Sequence, residues 1–135
     1  MKLSELKAAL RAGKSPHDLK AKVIGKGAFR TAFQIGPFVV KLAQGNHGHS
    51  RRAAMREAFK GSGLRIAPEA YVTAKDSHGP LPWVIQLAYK PLWSDIDSQK
   101  RLLGSPEALE ASTHFDGHFG NIGTDSRGRF VAFDY

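Results

Sequence analysis

Hydrophobic positions recur along the chain with two different periods, and the changes between them predict the order of elements. Near the N-terminus Leu6, Ala9 and Leu10 fall on one helical face, with Ser4 placed to cap the helix and Gly13 to end it. Residues 21–43, AKVIGKGAFRTAFQIGPFVVKLA, switch to β-branched and apolar runs broken at GKG and GP, which predicts two or three antiparallel strands. A helix follows over SRRAAMREAFKGSG, with Ser50 as its cap and Gly61 as its stop. APEAYVTAK and LPWVIQLAYK read as two strands around the turn DSHGP, with Pro68 and Pro82 at strand starts, where a missing N–H is tolerated. Residues 94–112 are helical in two pieces split at Gly104-Ser105-Pro106, and the chain closes on a hairpin made of GNIG, the turn DSRG and the strand RFVAFDY. Helix, sheet, helix, sheet, helix, hairpin is the order of an α+β fold with a mostly antiparallel sheet.

The 135 residues suffice for one domain with a real core, so the changes of character near residues 45–50 and 90–98 read as joints within it. The segmentation is an N-terminal helix (1–18), a sheet lobe (19–91) and a smaller C-terminal lobe (92–135). No apolar run approaches the roughly 20 residues of a membrane span, and MKLSELKAALRAGK lacks the apolar core of a signal peptide. The absence of cysteine excludes a disulfide scaffold and thiolate metal sites. These features predict a cytoplasmic protein with no membrane partner.

A net charge of +8 and a pI near 10.0 change the picture only in part. The basic residues are spread over the N-terminal segment, SRRAAMREAFK and SQKRLL, without an arginine-rich block or a DNA-reading motif. Such a surface suits nucleotide phosphates, an acidic protein or nucleic acid.

Candidate chemistry concentrates at a few points. Gly25 and Gly27 in VIGKGAF let a hairpin backbone approach a polyphosphate without a Cβ clash, although two such glycines also serve in an ordinary turn. Lys41 lies in the apolar strand VVKLA, either on a solvated face or held inward by an anion. Glu57, the sole acidic residue between Asp18 and Glu69, sits on the second helix beside Ala53 and Ala54, whose small side chains would let that flank approach the sheet. It could meet Lys41, or stay in solvent and pair with Lys60 or Arg52. In HFDGHFGNIG, Asp116 and Asn121 are five residues apart, and the hairpin would return Asp134 to the neighbourhood of Asn121. A carboxylate, an amide oxygen and a second carboxylate make a hard-oxygen site suited to Mg²⁺ and phosphate. His47 and His49 lack a third ligand and read as loop; Trp83 reads as core, and Trp93 as packing.

With these residues in this order the chain resembles the protein-kinase-like phosphotransferases, and its loop DGHFGN is similar to the D-x-H-x-G-N variant of the aminoglycoside and small-molecule kinases. The resemblance spans about residues 19–135 and implies an antiparallel sheet lobe with one crossing helix, joined to a remnant of the second lobe. It implies that Gly25 and Gly27 cover the phosphates of ATP, that Lys41 contacts them, and that Glu57 orients Lys41. Leu87 to Pro91, with Leu87 and Tyr89 as binding residues, would form the hinge beside the adenine. Asp116 would be the catalytic group at the acceptor hydroxyl, Asn121 and Asp134 would hold Mg²⁺, and His114 and His118 would support the loop.

The departures shape the expectation. Arg30 stands at the third loop glycine, Phe115 replaces the arginine of H-R-D, and the sequence given runs only one residue past Asp134, so most of the helical lobe is missing. Acceptor recognition would then fall to the N-terminal helix or a second subunit. Two functions remain open: an ATP- and Mg²⁺-dependent phosphotransferase acting on a protein or small-molecule hydroxyl, and a catalytically silent kinase-fold protein that binds an acidic protein or nucleic acid.

Overall fold

In the computed structural model, residues 1–26, 31–42, 47–76, 79–113 and 119–133 are described. Their elements in chain order are α1 (Leu3–Arg11), β1 (Lys22–Lys26), β2 (Thr31–Ile35), β3 (Phe38–Leu42), α2 (His47–Phe59), β4 (Leu64–Ile66), β5 (Ala70–Asp76) and β6 (Gly79–Leu87). A 3₁₀ turn (Leu92–Ser94), α3 (Ile96–Leu103), α4 (Pro106–Ser112), β7 (Ile122–Thr124) and β8 (Phe130–Ala132) complete the chain. The fold is α+β. No helix among the described residues is long and apolar enough to cross a membrane. The chain divides into two compact units, one built from Met1–Gln44 and Pro68–Ala88 with Tyr135, the other from Gly45–Ala67 and Tyr89–Asp134.

The first unit is a five-stranded antiparallel sheet in the order β1-β2-β3-β6-β5, with α1 on one face. Leu6 and Leu10, one helical turn apart, are fully buried against Ile35, Phe38, Val40, Val72, Trp83 and Ile85. Ser4 is not the cap of α1: the helix starts at Leu3, and the Lys2 amide donates to the Glu5 carboxylate at 3.4 Å. Gly36, at φ +56°, makes the two-residue turn with Pro37 between β2 and β3. β6 starts earlier than its apolar run, at Gly79, so Pro82 stands inside the strand opposite Thr73, beyond the last described β3 pair at Trp83. Trp83 is core, as its pattern predicts.

The second unit packs α2, α3 and α4 around a three-stranded sheet in the order β4-β8-β7. Here the antiparallel expectation is corrected, because β4 runs parallel to β8, from Leu64 beside Phe130 to Ile66 beside Ala132. A three-residue strand is too short to show alternation, and parallel pairing needs a long crossover that local patterning does not reveal. α2 begins at His47, so His47 and His49 lie in its first turns rather than in a loop, and Ser50 is helical rather than a cap. Met55 and Phe59 form its buried flank, whereas Ala53, Ala54 and Glu57 are exposed. That reverses the expected docking flank, for a methionine and a phenylalanine remove far more apolar area from water than two alanines. Trp93 is 64% exposed.

Two contacts hold the C-terminal hairpin. The Asp125 carboxylate accepts from the Arg127 and Arg129 amides, both at 2.9 Å, and from Arg129 Nε at 2.7 Å, while Gly128 takes φ +74° in the same turn. Burial opposes ionisation of Asp125, but the hydrogen bonds from Arg129 and Arg127 outweigh it and hold the carboxyl below the ordinary carboxylate range. At the other end, Gly123 bridges Pro91, and a Cβ there would lie 2.7 Å from the Lys90 carbonyl oxygen and 3.1 Å from Tyr89 Cβ and Phe133 Cε1.

Gly123→Ala is therefore expected to destabilise the protein by about 1–3 kcal/mol, since the obstructing atom is backbone and must move; denaturant midpoints measure it. For Asp125, a lowered folded-state pKa means that its stabilisation is complete above the unfolded value near ~3.9 and is lost as pH falls through the folded value. Asp125→Ala should lower the melting temperature at pH 7, and the gap from wild type should close on acidification below about pH 4. A gap independent of pH would show that the carboxylate charge is not what orders the turn.

Candidate functional site

Residues directly opposite each other in an antiparallel ladder share a face of the sheet. Gly25 pairs with Ala32, Ala32 with Lys41, Lys41 with Val84 and Val84 with Tyr71, so one row crosses all five strands. The adjacent row on that face runs Lys22, Gln34, Val39, Gln86. The opposite face, which α1 covers, is lined by the apolar residues of the core. Among the described residues the buried lysine and glutamine of the sheet therefore lie on one side, whereas Trp83, whose Nε1 is buried without a partner, lies on the other.

Lys41 is 2% exposed on this face. Burying an ammonium costs several kcal/mol unless anionic groups meet it, so its position is a constraint on everything that approaches the face. Ala32, itself 2% exposed, and Gly25 put no large side chain in the row on the β1 side of Lys41. β1 carries a bulge between Val23 and Gly25, which re-aims the strand just before the glycine turn.

Gln86 is 3% exposed and is a diagonal neighbour of Lys41, about 7–8 Å away along the ladder. Its Nε2 donates to Glu69 Oε1 at 2.6 Å, and the other carboxylate oxygen accepts from the Tyr71 hydroxyl at 2.6 Å. The carboxylate thus fixes which way the amide points. Gln86 Oε1, turned the other way, is buried with no hydrogen-bond partner among the described residues. An orphaned buried acceptor costs about 1–3 kcal/mol. Sequence reasoning passed over Gln86, because only the β3–β6 register reveals that it shares a face with Lys41.

The hinge residues part company. Leu87 pairs with Phe38 and so projects from the α1 side of the sheet, half-exposed. Tyr89, in the second unit, stacks its ring on Phe133 at 5.7 Å between centroids, nearly parallel. Burial, and then the charge of Asp125, raises the Tyr89 hydroxyl above its ordinary range.

Glu57 pairs with Lys60 at 2.9 Å, one of the two partners other than Lys41 that its sequence position leaves open. Its side chain is 75% exposed, and a pair so solvated contributes at most about 1 kcal/mol. Asn121 is half-buried, and its carbonyl accepts from the Phe133 amide at 2.9 Å, so the hairpin closes up to the residue before Asp134. Gly27, His114, Asp116, His118 and Asp134 lie outside the described residues, as do Arg30 and Phe115. Among the described residues no three His, Cys, Asp or Glu side chains gather as metal ligands.

Geometry brings together Gly25, Lys41 and Gln86 on one sheet face, and separately seats Tyr89 and Asn121 at the two sides of the closed hairpin. On the sheet, Lys41 in one row and Gln86 in the next lie beside Ala32, Val39 and Val84, all of them buried. No protein-family model matches the chain, and no curated protein matches it in sequence. The residues themselves carry the functional case.

Proposed function

We propose that the protein is an ATP- and Mg²⁺-dependent phosphotransferase of kinase-like architecture, acting in the cytoplasm on the hydroxyl of a protein or small molecule. The observation that carries this reading is Lys41: a lysine buried on the third strand, on the same sheet face as the first glycine of a glycine hairpin. In protein kinases the lysine that pairs with the nucleotide phosphates is likewise on a third strand, under a glycine-rich loop.

In this reading Gly25 and Gly27 let the β1–β2 backbone cover the phosphates, Lys41 binds them, and the segment from Leu87 to Pro91 borders the base. Asp116 orients the acceptor hydroxyl and takes its proton as the new O–P bond forms and the bond from the γ-phosphorus to the bridging oxygen breaks, releasing ADP. Asn121 and Asp134 offer hard oxygen donors for Mg²⁺, which neutralises phosphate charge when bound; the closure of the hairpin from Asn121 to Phe133 fits that role. His114 and His118 brace the loop. Positioning and charge neutralisation are most of what phosphoryl transfer requires. The net charge of +8 would draw the nucleotide in, and a second copy of the chain could supply the acceptor contacts.

One observation favours the second reading, a kinase-fold protein that binds an acidic protein or nucleic acid without catalysis. Glu57, the residue meant to orient Lys41, has its carboxylate in solvent on Lys60.

Calorimetry and labelled phosphate separate the two. Wild type should bind Mg²⁺-ATP, and Lys41→Met should weaken that binding at least tenfold. Asp116→Asn should lower phosphotransfer at least tenfold, some 1.4 kcal/mol of barrier, with ATP affinity almost unchanged, because the group acts in the transition state. Failure of folded wild type to bind Mg²⁺-ATP overturns the enzyme; binding without transfer to any acceptor hands the site to the second reading.

A further inference from the structure

The proposed phosphotransfer makes no use of the outer side of α3. Asp95, Ser98, Gln99 and Leu102 belong to the inner side: the Asp95 carboxylate accepts from the Ser98 amide at 3.1 Å, Gln99 Nε2 donates to the Leu92 carbonyl, and Leu102 is buried. Ile96, Asp97, Lys100 and Leu103 are left outside, with Ile96 63% and Leu103 57% exposed. Positions 96, 100 and 103 share one stripe of a 3.6-residue helix, and Asp97 borders it. Trp93, 64% exposed, stands in the 3₁₀ turn that leads into α3, beyond the Ile96 end of the stripe. Single apolar residues scattered on a surface need no explanation, but three large ones aligned along one short segment mark an interaction site.

Charge decides the occupant. Asp97 and Lys100 are three residues apart and exposed, and neither side chain forms an ion pair among the described residues; the neighbouring Arg101 lies over the Phe130 ring at 4.5 Å. Two copies of α3 set antiparallel about a two-fold axis between residues 98 and 99 bring Asp97 of each onto Lys100 of the other, because across such an axis residue i meets j and j meets i. The same axis places Leu103 beside Trp93 of the second copy and lays the Lys100 stem along its Ile96, with the ammonium reaching on to the carboxylate. A parallel pairing would instead set Lys100 against Lys100 and Asp97 against Asp97. Residues 92–112 also carry Asp95, Asp97, Glu107 and Glu110 against Lys100 and Arg101, so the repulsion between two chains of net charge +8 is locally relieved here. We propose that the outer stripe of α3, with Trp93, is a self-association surface whose partner is a second copy of this chain, docked antiparallel. The proposal goes beyond the phosphotransferase reading and does not depend on it.

Sedimentation equilibrium of the full chain from about 10 to 500 µM should show a reversible monomer–dimer equilibrium, with a dissociation constant on the order of 10–100 µM, as suits an interface at the small end of the range. Replacing both Ile96→Ser and Leu103→Ser should weaken it at least tenfold, and because both side chains are exposed the monomer should keep its melting temperature. Asp97→Lys and Lys100→Asp should each weaken self-association at least tenfold by facing like charges. Their one-to-one mixture should associate to within about threefold of wild type, since every cation then faces a carboxylate. Wild type that stays monomeric at 500 µM overturns the proposal without any variant. A dimer that survives the two serine replacements in a folded protein, or a mixture no more associated than its components, overturns it equally. None of these outcomes bears on nucleotide binding, which calorimetry reads by itself.

Discussion

The register of the antiparallel sheet is the constraint from which the rest follows. Because Ala32 pairs with Lys41 and Lys41 with Val84, alternate residues of β2, β3 and β6 are sorted into an apolar set facing Leu6 and Leu10 and a mixed set on the other side. A slip of one residue would exchange the two sets, driving Lys41 and Gln86 into the α1 core and setting Val40 and Ile85 on the face that now carries them. The fit of α1 onto seven apolar strand residues therefore does more than stabilise the unit. It fixes where the buried charge and the buried amide must lie.

Backbone proximity plays the corresponding part in the second unit. The approach of Lys90 to Gly123 leaves no room for a side chain, and this ties the segment entering the unit to the strand that follows Asn121. Asp125 closes one end of the β7–β8 hairpin with three hydrogen bonds, and the Asn121–Phe133 backbone bond closes the other. Between these two closures a hairpin with three-residue strands is held in register, although neither strand is long enough to specify pairing by its own pattern.

What the sequence makes legible is what depends on local pattern. The order of helices and strands, the break at Gly104–Pro106, the glycine turn at Gly36 and the terminal hairpin all follow from periodicity and turn chemistry. Features that depend on partners distant in the chain do not. β4 is a strand only because β8 lies beside it more than sixty residues later. The α2 flank was misjudged since small residues permit close approach but do not drive it, whereas Met55 and Phe59 do. In the candidate site, Lys41 stands out as a charge in an apolar strand, but whether it points in or out is a matter of register. Gln86 carries no signal at all until the β3–β6 pairing sets it on the same face.

Buried polarity in the sheet works against stability. Marginally stable domains have little tolerance for desolvated polar groups, each of which costs about as much as a good core contact contributes. The α1 face shows the alternative: leucine, isoleucine, valine and phenylalanine, buried and close-packed. Nothing in the strand geometry prevents the same residue types at positions 41 and 86, where flanking residues Val39, Val40, Val84 and Ile85 are already apolar. A stable sheet would need neither a lysine nor a half-satisfied amide there. Lys41 and Gln86 depart from that rule on one face, and Trp83, whose buried Nε1 has no hydrogen-bond partner among the described residues, departs from it on the other.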